Sequence, residues 1–144
     1  MMNLTALTDL PDNFGLGPLR TSVEFDNTAG GSIDLFTVTG DVIVRLVAVC
    51  SEAVTSAAAA NVQVGIGGGA EIIAVTVATL LGVREIWHDG TPDSEIELLT
   101  TSPEFIISDG NDIQLTLSAQ VDDGTLVFYL FWTPLSADGL VVVA

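Results

Sequence analysis

Asp112-Ile113-Gln114-Leu115-Thr116-Leu117-Ser118 is the stretch whose reading decides the fold class. Ile113, Leu115 and Leu117 alternate with Asp112, Gln114, Thr116 and Ser118, so apolar side chains point one way and polar ones the other. A period of two belongs to a β-strand with one wet face. Asn61-Val62-Gln63-Val64-Gly65-Ile66 repeats the pattern. Working outward, residues 33–38, 72–77, 85–87, 95–99, 104–107 and 140–143 read as further strands. Asp-Gly pairs at 89–90, 109–110, 123–124 and 138–139 favour positive φ and predict tight hairpins between them. Gly30-Gly31 and Gly67-Gly68-Gly69 mark two more breaks. Helical periodicity is hard to find. The expectation is an all-β chain, an antiparallel β-sandwich or barrel with jelly-roll or Greek-key-like connections.

The 144 residues suit one domain and can bury a core without disulfides or a structural metal. Residues 23–144 are expected to form that single β-sandwich domain. Residues 1–22 look irregular and contain Asp12-Asn13-Phe14-Gly15-Leu16-Gly17-Pro18. They read either as an extended arm that docks on a neighbour or as a frayed terminus. Residues 51–60, ending in four alanines, read as a helical turn or a loop of small residues.

Two strands carry more apolar surface than a two-layer fold requires. They are Val42-Ile43-Val44-Arg45-Leu46-Val47-Ala48-Val49-Cys50 and Leu126-Val127-Phe128-Tyr129-Leu130-Phe131-Trp132. A strand in a sandwich needs one apolar face, and a second apolar face implies a second cover. Composition agrees: 49% of residues are hydrophobic, only 15% are charged, and the mean hydropathy is +0.58. Charged residues usually make up about a quarter of a soluble chain. A membrane helix needs about 20 apolar residues in a row, and these runs are strand-sized. Aromatic girdles of the kind that mark a membrane barrel do not recur. With no basic segment and apolar block at Met1-Met2-Asn3-Leu4-Thr5, the sequence predicts a protein made in the cytoplasm and no membrane partner. The surplus apolar surface is expected to meet copies of the chain or a partner. Val42, Val44, Leu46, Phe128, Leu130 and Trp132, with Phe14 and Leu16 from the arm, are the candidate interface residues.

Nineteen acidic residues stand against Arg20, Arg45 and Arg84, with no lysine, for a net charge of −16. Phosphate backbones repel such a surface, which excludes nucleic acid as a partner. The acids are scattered, which keeps an apolar chain soluble rather than forming a disordered tail. Cys50, the only cysteine, lies in an apolar run and reads as a buried, inert thiol. His88, the only histidine, has no serine in a nucleophile context, so a catalytic triad is not expected. Asp109-Gly110-Asn111-Asp112 and Asp122-Asp123-Gly124 lack the spacing of a calcium loop, and Asp and Asn are also what turns favour. Gly65-Ile66-Gly67-Gly68-Gly69 lacks the lysine and helix of a phosphate loop. Glu95 and Glu97 share a strand face and read as an acidic solvent face. Trp87 and Trp132 could serve a glycan-binding module if exposed, but packing is expected of both. No enzyme activity, cofactor or metal is expected.

Three stretches carry a resemblance. They are Val38-Thr39-Gly40-Asp41-Val42, Arg84-Glu85-Ile86-Trp87-His88-Asp89-Gly90-Thr91-Pro92-Asp93, and the run from Gly124-Thr125-Leu126 through Phe131-Trp132-Thr133-Pro134-Leu135-Ser136-Ala137-Asp138-Gly139. In patches over residues 35–140 the chain resembles small virion proteins of tailed bacteriophages. The resemblance implies a structural role, foremost a capsid decoration (cement) protein. Such proteins sit as homotrimers on the capsid exterior and bind the major capsid protein. It carries no functional residues with it. It leaves a tail, head–tail connector or head-fibre-base location open, beside a host- or carbohydrate-binding module.

Overall fold

A computed structural model describes residues 17–67, 71–98 and 103–144. Eleven strands are described: β1 (Leu19–Thr28), β2 (Gly31–Thr39), β3 (Val42–Thr55), β4 (Asn61–Ile66), β5 (Glu71–Val77), β6 (Glu85–Trp87), β7 (Asp93–Ser94), β8 (Phe105–Ile107), β9 (Ile113–Leu117), β10 (Val121–Pro134) and β11 (Leu140–Val143). One 3-10 turn, Ala78–Leu80, follows β5. The strands form two antiparallel sheets packed face to face, a β-sandwich, as the alternation predicts.

The first sheet runs β1-β10-β3, and the far edge of β3 is shared by β8 and by β6 with β7 beyond it. The second sheet runs β11-β2-β9-β4-β5. The order β1-β10-β3-β8 facing β2-β9-β4-β5 is that of a jelly roll, eight strands in two Greek keys. The β6–β7 hairpin is inserted between its fifth and sixth strands, and β11 is added to an edge. Most connections cross from one sheet to the other, so each short turn also ties the layers together.

The centre of the first sheet is the pairing of β3 with β10, in one register from Val42↔Pro134 to Cys50↔Leu126 and shifted beyond it, where Thr55 meets Asp123. Both strands are longer than expected from the apolar runs alone. Val42, Val44, Leu46, Ala48 and Cys50 face inward with Leu126, Phe128, Leu130 and Trp132. Against them the second sheet presents Phe36, Val62, Val64, Ile73, Ile113, Leu115 and Leu117, all buried. Trp87 is fully buried, stacks edge-on against Phe128 at 6.4 Å between centroids, and donates from Nε1 to Thr76 Oγ1 at 2.9 Å. Since Trp87 lies in the first sheet and Thr76 in the second, this bond pins one layer to the other.

Several expectations need correction. β1 begins at Leu19, so residues 19–22 belong to the body and not to an arm. Leu19, Thr21, Val23 and Phe25 alternate with Arg20, Ser22 and Glu24, and pairing with β10 carries this half-polar segment into the sheet. Residues 51–55 continue β3, and residues 56–60 form a turn and loop rather than a helix. Residues 95–98 form no strand. Asp123-Gly124 is a bulge inside β10, not a hairpin turn. Gly124 has φ +123, and a Cβ there would stand 2.7 Å from Val54 Cα. The two 14-residue strands cross closest where only glycine fits.

Gly124→Ala is therefore expected to cost about 1–3 kcal/mol through backbone strain. Phe128→Ala should cost about 3–5 kcal/mol through the cavity it leaves. Urea unfolding of both variants checks this ordering, and a neutral Gly124→Ala would refute the close approach.

Candidate docking face

The pairing that builds the core also dictates what points outward. Directly opposed residues share a face, so Ile43, Arg45, Val47 and Val49 of β3 project outward with Val127, Tyr129, Phe131 and Thr133 of β10. β1 adds Arg20 beside Tyr129 and Ser22 beside Val127. β6 adds Ile86 beside Val49, and β8 adds Ile106 beside Ile43. Ile106 is 73% exposed and Phe131 40%. Val47 and Val127, in the middle of the face, are buried.

The outer face of the second sheet is different in kind. Its rows are Ser32–Thr116–Gln63 and Asp34–Gln114–Gly65. The Ser32 and Thr116 hydroxyls share a hydrogen bond at 3.2 Å, and Gln114 Nε2 donates to Asp34 Oδ1 at 2.6 Å. These side chains satisfy one another and keep the centre of that face wet, while Val75 and Val77 of β5 and Val142 of β11 are exposed at its edges. The centre of the other sheet instead shows an apolar stripe over β3 and β10.

Two of the three arginines lie on that stripe. The third, Arg84, pairs with Glu95 at 3.2 Å. The Arg45 guanidinium lies over the Phe131 ring, 5.3 Å from its centroid, a cation–π contact. Arg45 Nε is buried with no hydrogen-bond acceptor. An unmet buried donor carries a desolvation penalty of about 1–3 kcal/mol. Beside it a cavity of about 320 Å³ is lined by Gly17, Ile43, Arg45, Glu104, Phe131 and Thr133, among others.

The candidate interface residues take a different place from the one expected. Val42, Val44, Leu46, Phe128, Leu130 and Trp132 all point into the core, and only Trp132 keeps as much as 8% exposure. Phe14 and Leu16 lie outside the described residues. Both rows of each run are apolar, and the row named as the candidate interface is the one that lines the core. The register of β10 against β3 and the choice of facing sheet decide parity, and both are long-range.

Other candidates resolve into structural roles. Trp87 is fully buried and Trp132 nearly so, and neither offers a ring face to a sugar. Asp112 Oδ1 accepts from the Val38 amide at 3.0 Å, and Asp109 Oδ1 from the Gly40 amide at 2.8 Å. Among the described residues, no group of three or more His, Cys, Asp or Glu side chains is placed to hold a metal ion. Burial pushes the Cys50 thiol pKa up, which disfavours the thiolate, and its Sγ donates to Leu81 O at 3.2 Å. No helix among the described residues is long and apolar enough to cross a membrane. A comparison with protein families finds no matching family model, and no curated protein or solved structure matches the chain.

Asp122 shows what the surface carboxylates do. It accepts from the Ala57 amide at 2.6 Å and from Gln120 Nε2 at 2.8 Å, and these bonds, the amide first, hold its pKa below the usual carboxylate value. A depressed folded-state pKa contributes stability above the unfolded value, and that contribution is lost as pH falls through the folded one. Asp122→Asn should therefore lower the melting temperature at pH 7. The gap from the parent should close as pH is taken below about 4. Thermal melts at pH 7 and pH 3 read this directly, and a gap that persists at pH 3 would contradict it.

Proposed function

We propose that this chain is a non-enzymatic structural protein of a tailed-bacteriophage virion, a decoration protein that binds and stabilises the capsid exterior. One observation carries the reading. The outer face of the first sheet is apolar along its central strands β3 and β10, whereas the central rows of the second sheet's outer face are polar and internally hydrogen-bonded, with exposed valines only on its edge strands β5 and β11. A sandwich with no partner has no use for an apolar stripe on one outer face. The exposed part of the stripe is its Ile106 and Phe131 end, beside the unmet Arg45 Nε, and exposed apolar side chains grouped in this way mark association sites.

The partner is a further copy of the chain, associated as a trimer, with the major capsid protein beneath it. Arg20 and Arg45 stand on the stripe of a chain whose net charge is −16. An acidic neighbour of the same sequence supplies the carboxylate or carbonyl that Arg45 Nε lacks. The polar sheet and the scattered acids then face solvent on the outside of the shell, where packaged DNA does not repel them. The jelly-roll order suits this role by analogy only, since the same fold also serves lectins.

Light scattering of the purified protein should give a mass of three 15.0 kDa chains. Phe131→Glu combined with Tyr129→Glu should reduce it to monomers with an unchanged far-UV spectrum. Thr116→Glu, on the polar sheet, should leave the trimer intact. Imaging of the virion should then place density over the capsid. A hexameric ring at the neck or tail would move the protein to a connector. A stable parent monomer that never binds capsids would overturn the reading.

A further inference from the structure

His88 is the chain's single histidine, and its side chain is 1% exposed. Neither ring nitrogen makes a hydrogen bond, yet each faces a carboxylate oxygen. Nδ1 stands 3.9 Å from Asp89 Oδ2, and Nε2 stands 3.5 Å from Glu97 Oε1. A neutral imidazole has one donor and one acceptor, while ionised carboxylates only accept. Between two carboxylates, the neutral ring must aim a lone pair at negative charge. The protonated ring donates from both nitrogens and matches both neighbours.

Both carboxylates are also held locally. Asp89 Oδ1 accepts from the Thr91 amide at 2.7 Å and from the Thr91 hydroxyl at 2.8 Å, and Glu97 Oε1 accepts from the adjacent Leu98 amide at 3.1 Å. Glu97 comes from the segment that leaves the β6–β7 hairpin. β6 is anchored by Trp87 and by pairing with β3, whereas β7 pairs through Asp93 and Ser94 alone. At the base of the hairpin, Arg84 (φ 72) and Glu95 (φ 69) both occupy the left-handed region without being glycine. They face each other across the hairpin, joined by the Glu95 amide to Arg84 O at 3.1 Å and by an exposed ion pair. Strained residues paired at a hairpin base are what a hinge looks like.

Beyond the hinge, Glu97 turns inward with 18% of its side chain exposed, while Ile96 and Leu98 are 82% and 73% exposed. Holding Glu97 inward is therefore what sets Ile96 and Leu98 outward. The charged groups facing the ring are Asp89 and Glu97, and the nearby Arg84 and Glu95 are engaged with each other.

We propose that His88 and Glu97 form a proton-operated latch on residues 95–98. A proton taken from solvent onto His88 converts both facing contacts into ion pairs and fixes the segment with Ile96 and Leu98 presented. Loss of that proton leaves Glu97 Oε1 to the adjacent Leu98 amide, a bond within the segment itself that does not tie it to the body, and the segment swings about Arg84 and Glu95. The latch is independent of the virion assignment and stands or falls on its own measurement.

The stabilisation is present while His88 carries the proton and is lost as rising pH removes it. Hydrogen exchange of the residue 95–98 amides, corrected for intrinsic rates, reads it. Protection should rise about threefold or more from pH 7.5 to pH 5.5, within the tenfold per pH unit that one proton allows. The imidazole signal, single in this chain, should change over the same pH interval as the protection. Glu97→Gln, at a half-buried loop position that leaves the core untouched, should flatten the response. Protection that does not change with pH, or a full response in Glu97→Gln, would overturn the latch.

Discussion

The pairing of β3 with β10 is the constraint from which the other features follow. Two strands of fourteen residues run antiparallel through the middle of one sheet. Because side chains alternate strictly along a strand, one register decides at once what is buried and what is shown. Leu46 opposite Leu130 and Val44 opposite Trp132 place one row in the core. The intervening row, Arg45 opposite Phe131 and Val47 opposite Tyr129, is forced outward by the same register. β1, β6 and β8 attach along the edges of this pair, and Trp87 reaches Phe128 only because β6 is held against Ala48 and Val49. A slip of one residue would exchange the two rows and bury Arg45 in place of Leu46.

How much of this was legible in the sequence follows from how local each signal is. Asp112–Ser118 revealed its wet face because the second sheet is polar outside, so the pattern survives in a single strand. The double-sided strands revealed that two covers were needed but not which row faced which cover. That needs the identity of the opposing sheet, which no window of residues contains. β1 escaped notice because Arg20, Ser22 and Glu24 dilute it and its partner lies about a hundred residues away, at Val121–Leu130. The Asp123-Gly124 pair reads as a hairpin turn by local preference. Its glycine is instead required by the approach of Val54, a tertiary demand with the same local signature. Residues 95–98 alternate like a strand, yet the alternation serves a buried histidine rather than a sheet.

The acidic composition acquires a structural meaning once the turns are seen. Asp41, Asp109, Asp112 and Asp138 gather where turns from both sheets meet, and each accepts a hydrogen bond from a backbone amide or a serine hydroxyl. Gly40 sits among them at φ +63, with room for no side chain beside Ser136 and Asp138. Turn amides that the ladders leave unpaired need acceptors, and a short carboxylate supplies one without adding apolar surface. Much of the acidity is therefore an account of how a sheet-rich chain ends its strands. The cations follow a different logic, since two of the three lie on the outer face of the first sheet, beside the apolar row of β3 and β10.

Buried polar groups without partners then separate the functional surface from the scaffold. Most of the interior is apolar, and its few polar members are paired, as in the Trp87–Thr76 bond. Arg45 Nε and the two nitrogens of His88 depart from that rule. A chain selected for stability alone would place leucine or glutamine at either position at lower energetic cost. Each group instead sits where something outside the static fold could satisfy it: a neighbouring chain for Arg45 and a proton for His88. The two sites also lie on opposite halves of the first sheet, one on β3 with β10 and the other beyond β6. The proposed association through the stripe and the proposed latch therefore draw on different side chains.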